Sequence, residues 1–140
     1  MIHKIVVYTD GGARGNPGPA GIGAAIVDAE NPNNILGQYK KYIGETTNNQ
    51  AEYQAVVLGL EKAKELGATE VEVRLDSELV CSQINGVYKL KNQAFQTWFI
   101  KIHNLKQSFK KISFHHIRRE KNKLADSLVN QAVDEHLASI

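Results

Sequence analysis

The first apolar stretch, His3 to Tyr8, is β-branched and breaks at Asp10-Gly11-Gly12, which reads as a strand ending in a turn. After the Gly- and Pro-bearing loop Ala13 to Pro19, the segments Gly21 to Asp28 and Ile35 to Ile43 read as two further strands, so the chain opens with a three-strand meander. The period then changes. From Thr46 to Leu66 the apolar positions Tyr53, Val56, Val57, Leu60 and Ala63 recur at helical spacing, and Gly67 stands where a helix would stop. Glu70 to Leu75 alternates Val71, Val73 and Leu75 with charged residues, the pattern of a strand, and a short helix from Asp76 toward Asn85 follows, with Gly86 behind it. Gln93 to Phe109 carries Phe95, Trp98, Phe99, Ile102 and Leu105 at helical spacing; Lys111 to Ile117 is a fifth strand and Leu124 to Leu137 a closing helix. The order βββαβααβα places antiparallel strands first and helical crossovers afterwards. It predicts an α/β fold with a mixed five-stranded sheet flanked by helices, in one domain over residues 1–140.

Composition narrows the class. With 42% hydrophobic residues in 140, the chain can fill one core and is too short for two full domains. No run approaches the length of a membrane span, and the N-terminal apolar run is too short for a signal peptide, so the expectation is a cytoplasmic protein; it is also expected to be a standalone monomer. A single cysteine, Cys81, excludes an internal disulfide and a cysteine-based zinc site and reads as a packed core thiol. The formal charge of +2 hides an asymmetry: residues 1–76 hold 7 basic and 10 acidic side chains, residues 77–140 hold 10 and 5. Lys101 to Lys123 alone has eight basic residues against Glu120, which suits either phosphate contacts or a solvated helix face carrying Lys101, Lys106 and Lys110. Gly12, Gly15 and Gly18 are not followed by the Gly-Lys-Ser/Thr of a nucleotide loop.

Four acids stand apart from the helix-surface Glu and Lys pairs. Asp10 ends the first strand, Glu52 lies in the first turns of the first long helix, Asp76 ends the fourth strand, and Asp126 lies in the first turn of the last helix. Ligand sites of α/β sheets gather outside strand ends, so the four converge on one rim if the first and fourth strands are neighbours. Turn and cap chemistry explains each acid singly. A shared rim would instead make a self-repelling, all-oxygen cluster suited to Mg²⁺ or Mn²⁺ and to two-metal phosphodiester hydrolysis.

Four ordered motifs now carry a resemblance. Tyr8-Thr9-Asp10-Gly11-Gly12 with Gly15 to Gly21, Thr47-Asn48-Asn49-Gln50-Ala51-Glu52, Asp76-Ser77-Glu78-Leu79-Val80, and Asn122-Lys123-Leu124-Ala125-Asp126-Ser127-Leu128 are together similar to ribonuclease H, type I, over nearly the whole chain. The resemblance implies hydrolysis of the RNA strand of RNA/DNA hybrids, with 5′-phosphate and 3′-hydroxyl products. Asp10, Glu52, Asp76 and Asp126 would hold two Mg²⁺ ions, Mn²⁺ substituting, with Asp10 bridging both. It further implies hybrid contacts from Gly11, Gly12, Asn16, Asn48 and Gln50, and, around the other two acids, from Ser77, Arg118, Arg119 and Asn122. Two departures stand out. The segment Asn85 to Asn92 is short where many members carry a basic protrusion, with only Tyr88, Lys89 and Lys91 suggestive of it. The loop Arg118 to Asn122 lacks the histidine many members place there, leaving Arg118 or Arg119 to take over part of its work. His115 and His116 lie on the preceding strand, where alternation buries one and exposes the other. The rival readings are another nuclease of the same fold, such as a resolvase, transposase or exonuclease; activity extending to double-stranded RNA; and a non-catalytic hybrid-binding module.

Overall fold

A computed structural model of the chain describes residues 3–86 and 93–140; Tyr88, Lys89 and Lys91 lie outside them. Five strands, β1 (Lys4–Ala13), β2 (Gly18–Asp28), β3 (Ile35–Thr46), β4 (Glu70–Leu75) and β5 (Lys111–His116), form one sheet in the order β3-β2-β1-β4-β5. The first three are antiparallel, joined by hairpins. β4 and β5 run parallel to β1, which requires crossovers, and these are supplied by α1 (Asn48–Glu65) before β4 and by α2 (Glu78–Ile84) and α3 (Gln96–Lys106) before β5. α4 (Lys123–Ala138) closes the chain. The mixed five-stranded sheet and the predicted element order are both present.

The helices set which strands are buried. Tyr53, Val56, Leu60 and Ala63 of α1 are fully buried in one core with Ile5, Val7, Ile26, Val73 and Leu75 of the sheet, and Cys81 packs there as expected. Thr47 caps α1 by accepting the Gln50 N–H at 3.3 Å, and Gly67 follows its end at φ +76°. The other sheet face is covered by α4, whose Leu128, Val129, Ala132 and Val133 are buried against β1, β2 and β3.

Three local expectations are corrected. β1 does not end at Asp10: it continues through Gly11 and Gly12 to Ala13, paired with β2 as far as Ala13↔Ala20. The glycine at 11 serves a helix crossing rather than a turn, because a Cβ there would lie 2.3 Å from the carbonyl carbon and oxygen of Ala51. α3 stops at Lys106, so Lys110 is not on the helix with Lys101. His115 and His116 are both exposed at the end of β5, an edge strand with no second strand beside it, whereas Phe114 just before them is buried.

Candidate active site

The parallel pairing of β1 with β4 ends at Thr9↔Leu75, so Asp10, the next residue of β1, and Asp76, the first residue after β4, stand side by side. Glu52 arrives from the second turn of α1. The close approach of Gly11 to Ala51 lets it reach them, since any side chain at position 11 would push α1 away. One carboxylate oxygen each from Asp10, Glu52 and Asp76 lie within 4.8 Å of one another. Asp126, in the first turn of α4, lines the same cavity of about 400 Å³ and is close enough to act electrostatically on Asp10. The rim inferred from four separately explicable acids is therefore assembled by the fold.

Its electrostatics are those of buried carboxylates that repel one another. Burial pushes the Asp10 carboxyl up from 3.8 to about 7, with repulsion from Asp76 and Asp126 adding to it. Glu52 is raised well above its ordinary value by burial first and then by Asp10 and Asp76. Its Oε2 is buried with no hydrogen-bond partner. An acceptor-only oxygen without a donor, set among other carboxylates, fits a hard divalent cation, and the oxygen-only donor set fits Mg²⁺ or Mn²⁺ better than a softer metal. Asp10, Glu52 and Asp76, with Asp126 beside them, are the residues that would hold it.

The remaining expected site residues divide by what they touch. Gly11 and Gly12 line the cavity, as does Ser77, which also caps α2 by accepting the Val80 N–H at 3.2 Å. Asn16 and Asn48 are exposed and stitched together: Asn16 Oδ1 accepts the Asn48 N–H at 3.0 Å, and Asn48 Oδ1 accepts the Ala13 N–H at 2.8 Å. The side-chain oxygens are thereby engaged, leaving the amide N–H groups as donors; Asn48 lines the cavity and Asn16 does not. Arg119 lines the cavity and Arg118 does not. Two expectations change. The Gln50 side chain is engaged internally, donating to the Ala94 carbonyl at 3.1 Å and accepting the Trp98 indole N–H at 2.7 Å. Asn122 is 1% exposed and faces the protein interior, donating to the Thr9 carbonyl and to Asp76 Oδ2, so it cannot be an open substrate contact. Asn49 and Arg14 line the cavity without having been singled out. For Asn49 the signal was there: it lies three residues before Glu52, on the same face of α1. Arg14 is held by Asp134 at 2.6 Å, a pairing no local pattern reveals.

A family described as reverse transcriptase-like matches residues 8–132. A bifunctional protein of Mycobacterium tuberculosis is 41% identical over 131 residues; the match covers 94% of this chain and 36% of that protein, so the chain spans about a third of that relative's length. Ribonuclease HI of Halobacterium salinarum is 36% identical over 132 residues, covering 94% of this chain and 65% of that protein. The crystal structure of RNase H1 from that archaeon superposes with a TM-score of 0.90, covering 94% of this chain and 98% of that one. LC11-RNase H1, obtained from compost by a metagenomic approach and solved with an RNA/DNA hybrid, is 50% identical with a TM-score of 0.89 over 95% of this chain and 99% of that one. The match to the family runs from the strand that carries Asp10 to the helix that carries Asp126, and the chain belongs to the ribonuclease H type 1 family.

Proposed function

We propose that this chain, acting as a single domain and a cytoplasmic monomer, is an endonuclease that hydrolyses the RNA strand of RNA/DNA hybrids, with Asp10, Glu52, Asp76 and Asp126 holding two Mg²⁺ ions for which Mn²⁺ can substitute. The observation that carries the reading is the meeting of three carboxylates within 4.8 Å, where the parallel pairing of β1 with β4 stops and α1 crosses β1, one of their oxygens buried and unpartnered, in an open groove. The hybrid in the LC11-RNase H1 complex supports the substrate class. The chemistry two divalent cations supply at such a site is activation of a water and neutralisation of charge on the leaving 3′-oxygen.

The chain's own residues do the rest. Gly12 presents backbone with no side chain to the cavity, so a sugar-phosphate strand can approach β1 closely there, while the missing side chain of Gly11 admits α1. The Asn16 and Asn48 amides offer donors to the 2′-hydroxyls and base edges of a wide minor groove, the feature that separates RNA from DNA. Arg119 brings positive charge to phosphate at the α4 side of the cavity. Among the described residues no helix is long and apolar enough to cross a membrane. The test is digestion of matched RNA/DNA, RNA/RNA and DNA/DNA duplexes with Mg²⁺ or Mn²⁺. The expected result is cleavage of the hybrid's RNA strand alone; equal cutting of the RNA duplex would broaden the substrate, and cutting of none would leave only a binding module.

A further inference from the structure

Asn122 immediately precedes α4, where an asparagine side chain ordinarily accepts a hydrogen bond from the helix's own free N–H groups. It makes no such cap. Its side-chain amide reaches instead to the Thr9 carbonyl of β1 at 2.9 Å and to Oδ2 of Asp76, the residue after β4, at 3.0 Å. The residue is 1% exposed, and its Oδ1 is buried with no hydrogen-bond partner. A cap is forgone and a carbonyl left unpaired, which is a poor use of asparagine for fold stability alone. What the arrangement achieves is convergence. The Thr9 carbonyl belongs to the peptide unit that precedes Asp10, the second N–H grips the Asp76 carboxylate, and the Asn122 backbone carbonyl accepts the Asp126 N–H at 3.0 Å. One residue thus touches three of the four elements that deliver the acids.

We propose that Asn122 is a positioning residue for the candidate metal site: its amide holds the Asp76 carboxylate turned toward Asp10 and Glu52 and ties the start of α4, with Asp126, to β1 at Thr9 and to the residue that follows β4. The role rests on the reading of this cluster as a divalent-cation site. Buried groups that orient metal-binding side chains have effects on metal affinity comparable with those of the ligands' own surroundings, so the consequence is measurable without substrate. Asparagine is required because the job is done by two N–H donors. Aspartate has the same shape and volume but none of those donors, and alanine removes both.

The test is Mn²⁺ binding to the substrate-free protein, read from the electron paramagnetic resonance signal of the free ion, for wild type, Asn122→Ala and Asn122→Asp. Thermal unfolding in EDTA is recorded alongside. The expected result is about 10- to 100-fold weaker binding in both variants, with aspartate no milder than alanine although it fills the same space. In hybrid cleavage the loss should fall on kcat, with KM within about threefold of wild type. A merely structural role predicts the opposite pattern: lower melting temperatures, but Mn²⁺ binding and kcat within about twofold of wild type in the folded Asn122→Asp protein. That outcome overturns the proposal, as does binding restored by aspartate and lost only with alanine. If alanine does not fold, the aspartate variant decides alone. Asn122-dependent Mn²⁺ binding in a wild-type protein that leaves hybrid intact would uphold the positioning role and refute the nuclease reading.

Discussion

Replacing Asp10 with asparagine should stabilise the metal-free protein, by an amount that depends on pH in a calculable way. In the unfolded chain the Asp10 carboxyl titrates near 3.8; in the folded protein burial and its acidic neighbours push it up to about 7. Between those values the folded state keeps a proton that the unfolded state has released, so raising the pH strips it and stability falls. The full displacement is worth about 4 kcal/mol, of which about 2 kcal/mol is already lost at pH 5 and nearly all by pH 8. Asp10 is only 7% exposed, so solvent screening does not erase the effect. Asparagine mimics the protonated acid at every pH. Urea denaturation in EDTA should therefore show Asp10→Asn more stable than wild type by about 2 kcal/mol at pH 5 and about 4 kcal/mol at pH 8, a melting-temperature gain of about 10 °C at the upper pH. Added Mg²⁺ or Mn²⁺ should reverse the ranking, because ion binding stabilises wild type by mass action. A variant no more stable than wild type at pH 8, or a gain that does not vary with pH, would refute the electrostatic reasoning.

Further expectations follow from single contacts. Gly11→Ala puts a Cβ 2.3 Å from the Ala51 backbone, so α1 must shift; we expect a loss of about 1–3 kcal/mol in urea denaturation together with loss of hybrid cleavage, and near-normal activity would show that Glu52 does not depend on that approach. Gln50→Ala strands the Trp98 indole N–H and should lower stability by about 1 kcal/mol while leaving KM for hybrid within about threefold; a large KM rise at unchanged melting temperature would return Gln50 to the substrate contacts. Arg119→Ala should raise KM and flatten its salt dependence, whereas Arg118→Ala should do neither, because only Arg119 lines the groove; equal effects would contradict that placement.

The sheet and its coverage were legible because they follow from periodicity. Val71, Val73 and Leu75 alternate as β4 and are buried as that alternation requires, and the α1 stripe lies on the core. The acids were legible as a set through their places beside strand and helix boundaries in the pattern, although β1 runs on past Asp10 to Ala13. What the pattern could not convey was tertiary use of local signals. Asp10-Gly11 has the look of a turn, yet the glycine answers to a helix crossing β1 from a segment 40 residues on. Asn122 has the residue type and position of a cap, and its amide is diverted to strands far away in sequence. Gln50 sits in a motif that faces the groove, but its fate depends on Trp98, in a helix that begins 46 residues later. Alternation along β5 misled at His116 because periodicity tells which face a side chain takes and not whether anything covers it.

The central claim is that the carboxylate cluster is the hydrolytic site for RNA in a hybrid. It is tested most directly by cleavage of an end-labelled RNA/DNA hybrid in Mg²⁺ by wild type and by Asp10→Asn, with hybrid binding measured on the same preparations. Wild type should release RNA fragments with 5′-phosphate and 3′-hydroxyl ends, while Asp10→Asn binds hybrid at least as tightly and cuts it at least about a thousandfold more slowly. Turnover by Asp10→Asn within about tenfold of wild type would contradict the assignment.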